Sequence, residues 1–430
     1  MFSGDASECW SELRDETSNL YMPTPLCQYR SGRWIVETCG TVQMGNSEEI
    51  PPLGRLLVAA GAALSPLWFL TVLGVNIIPS DLILVAVFVF VSISTARFVA
   101  PPDKLTFSSV LVFLGAAALS LTFPSRPVSG VFNFVQWMLI FVVIVPICIH
   151  VFKRDRDRYL TIIGTWAVLN GLTLAALLKS FSGVQLDTIT LLYSNQNQMY
   201  WLIASGAILN MSLLLERESS RPIRLIAGLF FLPSVYLTVG GFTLSAILLL
   251  GVGTWLIVFR IVALRSQLLF RLYGLTTTIV GVVSGGVIVR NWEWIYLQAS
   301  LESRFAQYRA AIRYGTLNQP FGVGIESSGA VLKEVLTVTS IHNYFLAFYI
   351  EIGIFGSLAF TALLLQWVRS VLFTSLLDEE VPLSDIGVIV IFFGSIMIML
   401  FQPVPVRRFW WIVYALSWGV VLDVSLSDRF

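Results

Sequence analysis

Apolar stretches long enough to cross the ~30 Å hydrocarbon core of a bilayer as helices follow one another between residues 56 and 425. No soluble fold can cover that much apolar surface. Of 430 residues, 56% are hydrophobic and 12% charged, against about a quarter charged in ordinary soluble domains. The pattern predicts spans near 56–77, 81–99, 105–123, 131–152, 159–178, 197–215, 223–240, 243–263, 270–289, 342–368, 384–403 and 408–425. The expected fold is therefore an all-α polytopic integral membrane protein of about 12 transmembrane helices with one longer outside loop. A net charge of +1 gives no reason to expect nucleic acid or electrostatic docking; association with membrane lipid follows from insertion.

Lysine and arginine resist translocation, so their distribution orients the chain. Lys153, Arg154, Arg156 and Arg158, then Arg217, Arg221 and Arg224, then Arg260, Arg265 and Arg271 fall in alternate connections. Those connections are expected inside, with both termini cytosolic; Arg126, Lys179, Arg407 and Arg408 occupy the outside ones. The two inside runs, 153–158 and 216–224, read as solvated topology determinants. Residues 1–52 are too polar for a signal peptide and form an expected cytosolic N-terminal extension, with the membrane domain spanning 53–430. Cys9, Cys27, Cys39 and Cys148 lack the spacing of a zinc site and read as ordinary thiols.

One outside segment, 290–341, is longer than the rest, and long loops frequently carry function. Residues 300–314 mix apolar and basic residues at helical spacing, suggesting an amphipathic interfacial helix on which Arg309 and Arg313 share a face. Its arginines could contact lipid headgroups or clamp a diphosphate. Gln319-Pro320-Phe321-Gly322-Val323-Gly324 then reads as a turn. His342, one of two histidines, opens the next span and could take a proton from a hydroxyl or sit as a satisfied interfacial residue. Glu351 lies deeper in that span, either functional or a helix-packing group. Asn195-Gln196-Asn197-Gln198 stands at the outer mouth of another span, where four amides could bind sugar hydroxyls or cap the helix. No Walker loop, dinucleotide fingerprint, histidine pair or Asp-x-Asp pair is present, so no cofactor and no metal are expected.

His342-Asn343-x-x-Leu346, six further residues and Gly353, with Gly356 beyond, resembles the His-(Asn/Ser)-x-x-Leu-x6-Gly motif of the O-antigen ligase and polymerase superfamily. Arg304, Tyr308, Ala311, Pro320, Gly322 and Gly324 resemble its outside-loop pattern, and Asn195-Gln196-Asn197-Gln198 resembles its Asn-x-Asn-Gln span start. The motifs fall within residues 190–370. The resemblance implies a GT-C-like, metal-independent membrane glycosyltransferase of the bacterial inner membrane, moving a glycan en bloc from an undecaprenyl-diphosphate carrier to an acceptor hydroxyl at the periplasmic face. Polymerisation of exopolysaccharide or O-antigen repeat units fits better than ligation onto lipid A core, because no large outside domain is appended. Other polysaccharide-assembly proteins are expected partners. A flippase for lipid-linked oligosaccharide is the rival from another class, although no internal repeat is evident.

Carried onto this chain, the resemblance makes His342 the general base and Arg304 a diphosphate ligand. Arg309 and Arg313 join Arg304 by proximity, and Asn195, Gln196, Asn197, Gln198 and Asn343 are candidate glycan contacts. The chain departs from the family at Thr238-Val239-Gly240-Gly241-Phe242-Thr243-Leu244-Ser245, where a Ser-Arg-Gly-like turn is usual. That arginine is missing: either a different cation substitutes, with Arg290, Arg407 and Arg408 the outside candidates, or the diphosphate is handled differently.

Overall fold

The computed structural model describes residues 27–30, 33–36, 50–67, 70–72, 75–77, 79–95, 103–122, 127–182, 196–241, 243–291, 301–318, 320–325, 327–333, 341, 343–400 and 408–427. The chain forms two compact units, Met1–Glu49 and Ile50–Phe430. In the first, strands β1 (Cys27–Arg30) and β2 (Arg33–Val36) pair antiparallel.

The second unit is helical. Its helices are α1 (Pro52–Ala63), α2 (Pro79–Thr95), α3 (Lys104–Ser120), α4 (Pro127–Met138), α5 (Val145–Phe152), α6 (Asp155–Ser182), α7 (Gln196–Leu215), α8 (Arg221–Gly240), α9 (Leu244–Arg265) and α10 (Gln267–Arg290). After the loop helices α11 (Leu301–Leu317) and α12 (Ser328–Lys333) come α13 (Tyr344–Glu351), α14 (Gly353–Trp367), α15 (Phe373–Ser375), α16 (Leu383–Met399) and α17 (Arg408–Ser427). Single π-helical turns, Leu139–Ile144 and Val368–Leu372, join α4 to α5 and α14 to α15.

Among the described residues, six helical stretches are long and apolar enough to cross a membrane: Val128–Phe152, Asp155–Phe181, Gln198–Leu215, Arg221–Gly240, Leu244–Arg265 and Gly353–Ser375. Five shorter apolar helices accompany them. The protein is thus a helical, multi-pass membrane protein. The first expected span, 56–77, is not one continuous helix. α1 stops at Ala63, and Leu70–Val72 pairs with Val75–Ile77 as an antiparallel hairpin. Pro66 disfavours helical backbone at the residue before it, and the β-branched Thr71, Val72, Val75 and Ile77 suit strands.

Polar side chains tie the helices together where hydrocarbon offers no partner. α6 and α7 run antiparallel, with Trp166 donating to the side-chain oxygen of Asn210 at 2.6 Å and Asn170 and Asn210 exchanging amide bonds at 2.9 and 3.3 Å. Trp201 donates to Ser245 at 2.6 Å, and Trp367 to Ser417 at 2.7 Å. α16 lies antiparallel to α7, its Ser384 near Glu216 and its Gly387 against Ser212. Its C-terminus therefore lies at the end of the bundle where α7 begins.

At the opposite end two of the charges expected to be solvated, Arg158 and Glu216, are built into the packing with Arg260, while Arg154, Arg156, Arg217, Glu218 and Arg221 are exposed as expected. Arg158 holds the two oxygens of Asp385 at 3.1 and 3.2 Å and donates to the Phe152 and Gly419 carbonyls at 3.1 and 3.4 Å. Asp155 closes on the same guanidinium. Glu216, also buried, accepts from Ser219 at 2.9 Å and Ser384 at 3.2 Å. Arg260 donates to the carbonyls of Ser375, Leu376 and Val381 at 2.9, 2.9 and 2.6 Å. Arg158 ties α5, α16 and α17 together and Arg260 reaches the connection between α15 and α16, so a tally of loop charges locates the residue but not its burial.

The Arg158 and Asp385 side chains are 4% and 5% exposed. Asp385→Ala leaves a buried guanidinium short of its main counter-charge, a loss worth ~3–5 kcal/mol. Thermal unfolding in detergent should show a large drop for Asp385→Ala and a much smaller one for the double variant Arg158→Met/Asp385→Leu. Equal drops would mean the pair is not coupled.

Candidate functional site

The turn 320–324 and the helices that carry Arg304, Tyr308 and Asn343 meet at a broken helix. α13 ends at Glu351 and α14 begins at Gly353, so the tenth expected span is interrupted in its first third. Gly353 adopts φ +73°, and a β-carbon there would overlap the carbonyl oxygen of Pro320. A helix end leaves carbonyls without intrahelical partners. Here the turn 320–324 supplies the missing donors: the Val323 N–H reaches the Ile350 carbonyl at 2.8 Å, and the Gly324 N–H reaches that of Glu351 at 2.9 Å. Gly322 (φ +77°) and Gly324 (φ +100°) shape the turn, and a β-carbon on Gly322 would lie 2.5 Å from the Ile350 carbonyl oxygen. Ser328, at the start of α12, donates its hydroxyl to the Glu351 carboxylate, so the ionisable group within the span anchors the loop.

α11 lies against α13. Gln307, Ala311 and Gly315 form its buried face, and a β-carbon on Gly315 would come within 2.5 Å of the Tyr349 ring. The helix expected at 300–314 is present, and it divides its three arginines. Arg309 and Arg313 share an exposed face, while Arg304 is half-buried on the side of Tyr308. Burial pushes the Tyr308 phenol up, and the Arg304 charge and a hydrogen bond with the Asn343 side chain pull it back. Arg304, Tyr308 and Asn343 are thereby brought to one place.

Asn343 is also the N-cap of α13. Its side-chain oxygen accepts from the Leu346 N–H at 2.9 Å, and its amide donates to the Leu400 carbonyl at the end of α16 at 3.0 Å. His342 precedes it directly but lies outside the described residues, as do Asn195 and Arg407. The side chains of Gln196 and Asn197 are likewise not described. Gln198 is buried in the first turn of α7, and its side-chain oxygen has no hydrogen-bond partner among the described residues.

The remaining basic candidates are placed apart. Arg290 is exposed at the end of α10. Arg408 is buried, and its charge meets Asp81 at 2.9 Å. Ser328 carries no sequence signal, because its pairing depends on how the turn folds. Tyr308 carries one: it stands four residues after Arg304, on the same face of a helix. Against known protein families and curated proteins, the chain returns no match.

Gly353→Ala combines positive φ with overlap on the Pro320 carbonyl and should destabilise by ~3 kcal/mol or more. Loss of the monodisperse peak in size-exclusion chromatography is expected for Gly353→Ala and not for Gly240→Ala, whose β-carbon meets nothing within 4 Å. A monodisperse, stable Gly353→Ala protein would contradict the interlock of turn and helix break.

Proposed function

We propose that this protein is a metal-independent glycosyltransferase of the O-antigen ligase and polymerase type. It moves a glycan from an undecaprenyl-diphosphate carrier to an acceptor hydroxyl at the periplasmic face of the inner membrane. Polymerisation of exopolysaccharide or O-antigen repeat units is preferred to ligation onto lipid A core. The supporting observation is the convergence of Arg304, Tyr308 and Asn343, the residue after His342 in sequence, on a turn and helix break built on Gly322, Gly324 and Gly353.

The proposed topology has twelve spans in a GT-C-like arrangement with both termini cytosolic. α4 with α5, and α13 with α14, each count as one interrupted span, and α11 and α12 lie in the periplasmic loop. That orientation places the Arg304 end outside and the buried Arg158 end inside.

Reaction requires a base for the acceptor hydroxyl and a cation for the leaving diphosphate. His342 takes the hydroxyl proton as the acceptor oxygen attacks the anomeric carbon, and the bond from that carbon to the diphosphate oxygen breaks. A single displacement inverts the anomeric centre. Arg304 receives the negative charge that accumulates on the departing diphosphate. Tyr308 holds Asn343 and, through it, the start of α13. Arg309 and Arg313, facing outward, suit lipid headgroups at the interface or the carrier's approach.

Purified protein in nanodiscs, given lipid-linked repeat units, tests this directly. His342→Ala at matched protein level should lower transfer by ~100-fold or more, Arg304→Ala should lower it by a comparable ~100-fold, and a metal chelator should leave wild type unchanged. Undiminished transfer by His342→Ala removes that residue from the mechanism. Movement of carrier across the bilayer without transfer would identify a flippase.

A further inference from the structure

A cavity of about 620 Å³ opens at the Arg158 end of the bundle, between the first turns of α6, the end of α7 with the turn after it, the start of α16 and Val420 of α17. Its volume is that of a small-molecule site. Five carboxylates and two guanidiniums line it. The buried guanidinium, Arg158, is already committed to Asp385, Asp155 and two backbone carbonyls. The other, Arg156, is exposed.

This arrangement leaves Glu216 incomplete. Its carboxylate is 8% exposed and accepts from two neutral hydroxyls, Ser219 at 2.9 Å and Ser384 at 3.2 Å, and it forms no ion pair among the described residues. Its charge acts on Asp385 and on Tyr159, so a second carboxylate and a tyrosine ring lie near it. A buried carboxylate close to another, with no counter-cation of its own, is costly and calls for a cationic partner. Glu218 and Glu380, both exposed, add negative charge at the mouth. Carboxylates beside an aromatic ring are the chemistry that recognises an ammonium ion.

The cavity lies where apolar outer surface gives way to charge. Leu160 and Leu215 adjoin Tyr159 and Glu216 in sequence, Leu377 stands just before Glu380, and all three leucines are exposed. In a membrane protein such side chains meet acyl chains, which puts the mouth at headgroup level. We propose that the cavity is a site for the headgroup of an aminophospholipid, with its primary ammonium against Glu216 and Tyr159 and its phosphate met at the rim by Arg156. The site stands at the opposite end of the bundle from Arg304 and is independent of the transferase reading.

The test is a lipid titration of the delipidated full-length protein in detergent, read by native mass spectrometry. Phosphatidylethanolamine should bind ~10-fold or more tightly than phosphatidylcholine, whose ammonium has no N–H to donate, and than phosphatidylglycerol, which carries no cation. Glu216→Gln keeps an acceptor oxygen for the two serine hydroxyls but removes the charge, and should cancel that preference. Arg217→Gln, exposed and outside the cavity lining, should leave it intact. Where Glu216→Gln fails to fold, the rim variant Glu218→Gln/Glu380→Gln decides the matter by lowering the preference ~3-fold or more.

Equal binding of the three lipids, or a preference for phosphatidylethanolamine that survives both Glu216→Gln and the rim variant, overturns the site. Soluble O-phosphoethanolamine distinguishes the source of the ammonium. Its failure to compete with the lipid supports a membrane headgroup, whereas binding as tight as that of the lipid keeps the ammonium site and overturns its assignment to lipid.

Discussion

Hydrocarbon supplies no partners for backbone polar groups, so a transmembrane helix can break only where protein fills the gap. The break between Glu351 and Gly353 is filled by the N–H groups of Val323 and Gly324 from a loop distant in sequence. Most of the candidate site depends on that exchange. It sets the height of α13, and with it the N-cap at Asn343; it draws α11 down until Gly315 meets Tyr349; and it brings Ser328 to the Glu351 carboxylate. The segment that carries α11 and α12 is in this way packed onto the helical bundle, and Arg304 and Tyr308 gain fixed positions relative to the start of α13.

The opposite end of the bundle uses charge for a comparable purpose. Arg158 gathers Asp385 and two backbone carbonyls, and Arg260 gathers three carbonyls from the connection between α15 and α16. Guanidinium groups suit this, since one fork can satisfy several acceptors in a fixed plane. At the Arg158 end, both guanidiniums are satisfied within the chain and hold helices together. At the α7 N-terminal end lie the half-buried Arg304 and the buried Gln198, whose side-chain oxygen has no hydrogen-bond partner among the described residues, together with the buried ion pair of Arg408 and Asp81.

Much of this fold was legible in hydropathy. The expected spans at 131–152, 159–178, 197–215, 223–240 and 243–263 each coincide with helix, because long apolar runs in lipid have one regular solution. The span at 56–77 was misread because apolar content does not distinguish helix from hairpin once a proline and β-branched residues intervene. Gly353 was recognisable within the motif, but its positive φ and the docking of the turn are long-range facts. Lys179, Arg158 and Glu216 were taken for loop charges, and their burial depends on which helix faces lie inward. Separating Arg304 from Arg309 and Arg313 likewise needed the orientation of α11, which its weak amphipathicity did not settle.

The proposed function makes Arg304 the place where a lipid-linked diphosphate meets the chain. A cryo-electron microscopy structure of the protein bound to an undecaprenyl-diphosphate-linked sugar tests it most directly. The account predicts diphosphate density within ~3.2 Å of the Arg304 guanidinium, at hydrogen-bonding distance, with the first sugar facing position 342. Diphosphate density at the Arg158 end, or at a lipid-facing groove away from α11 and α13, would contradict it.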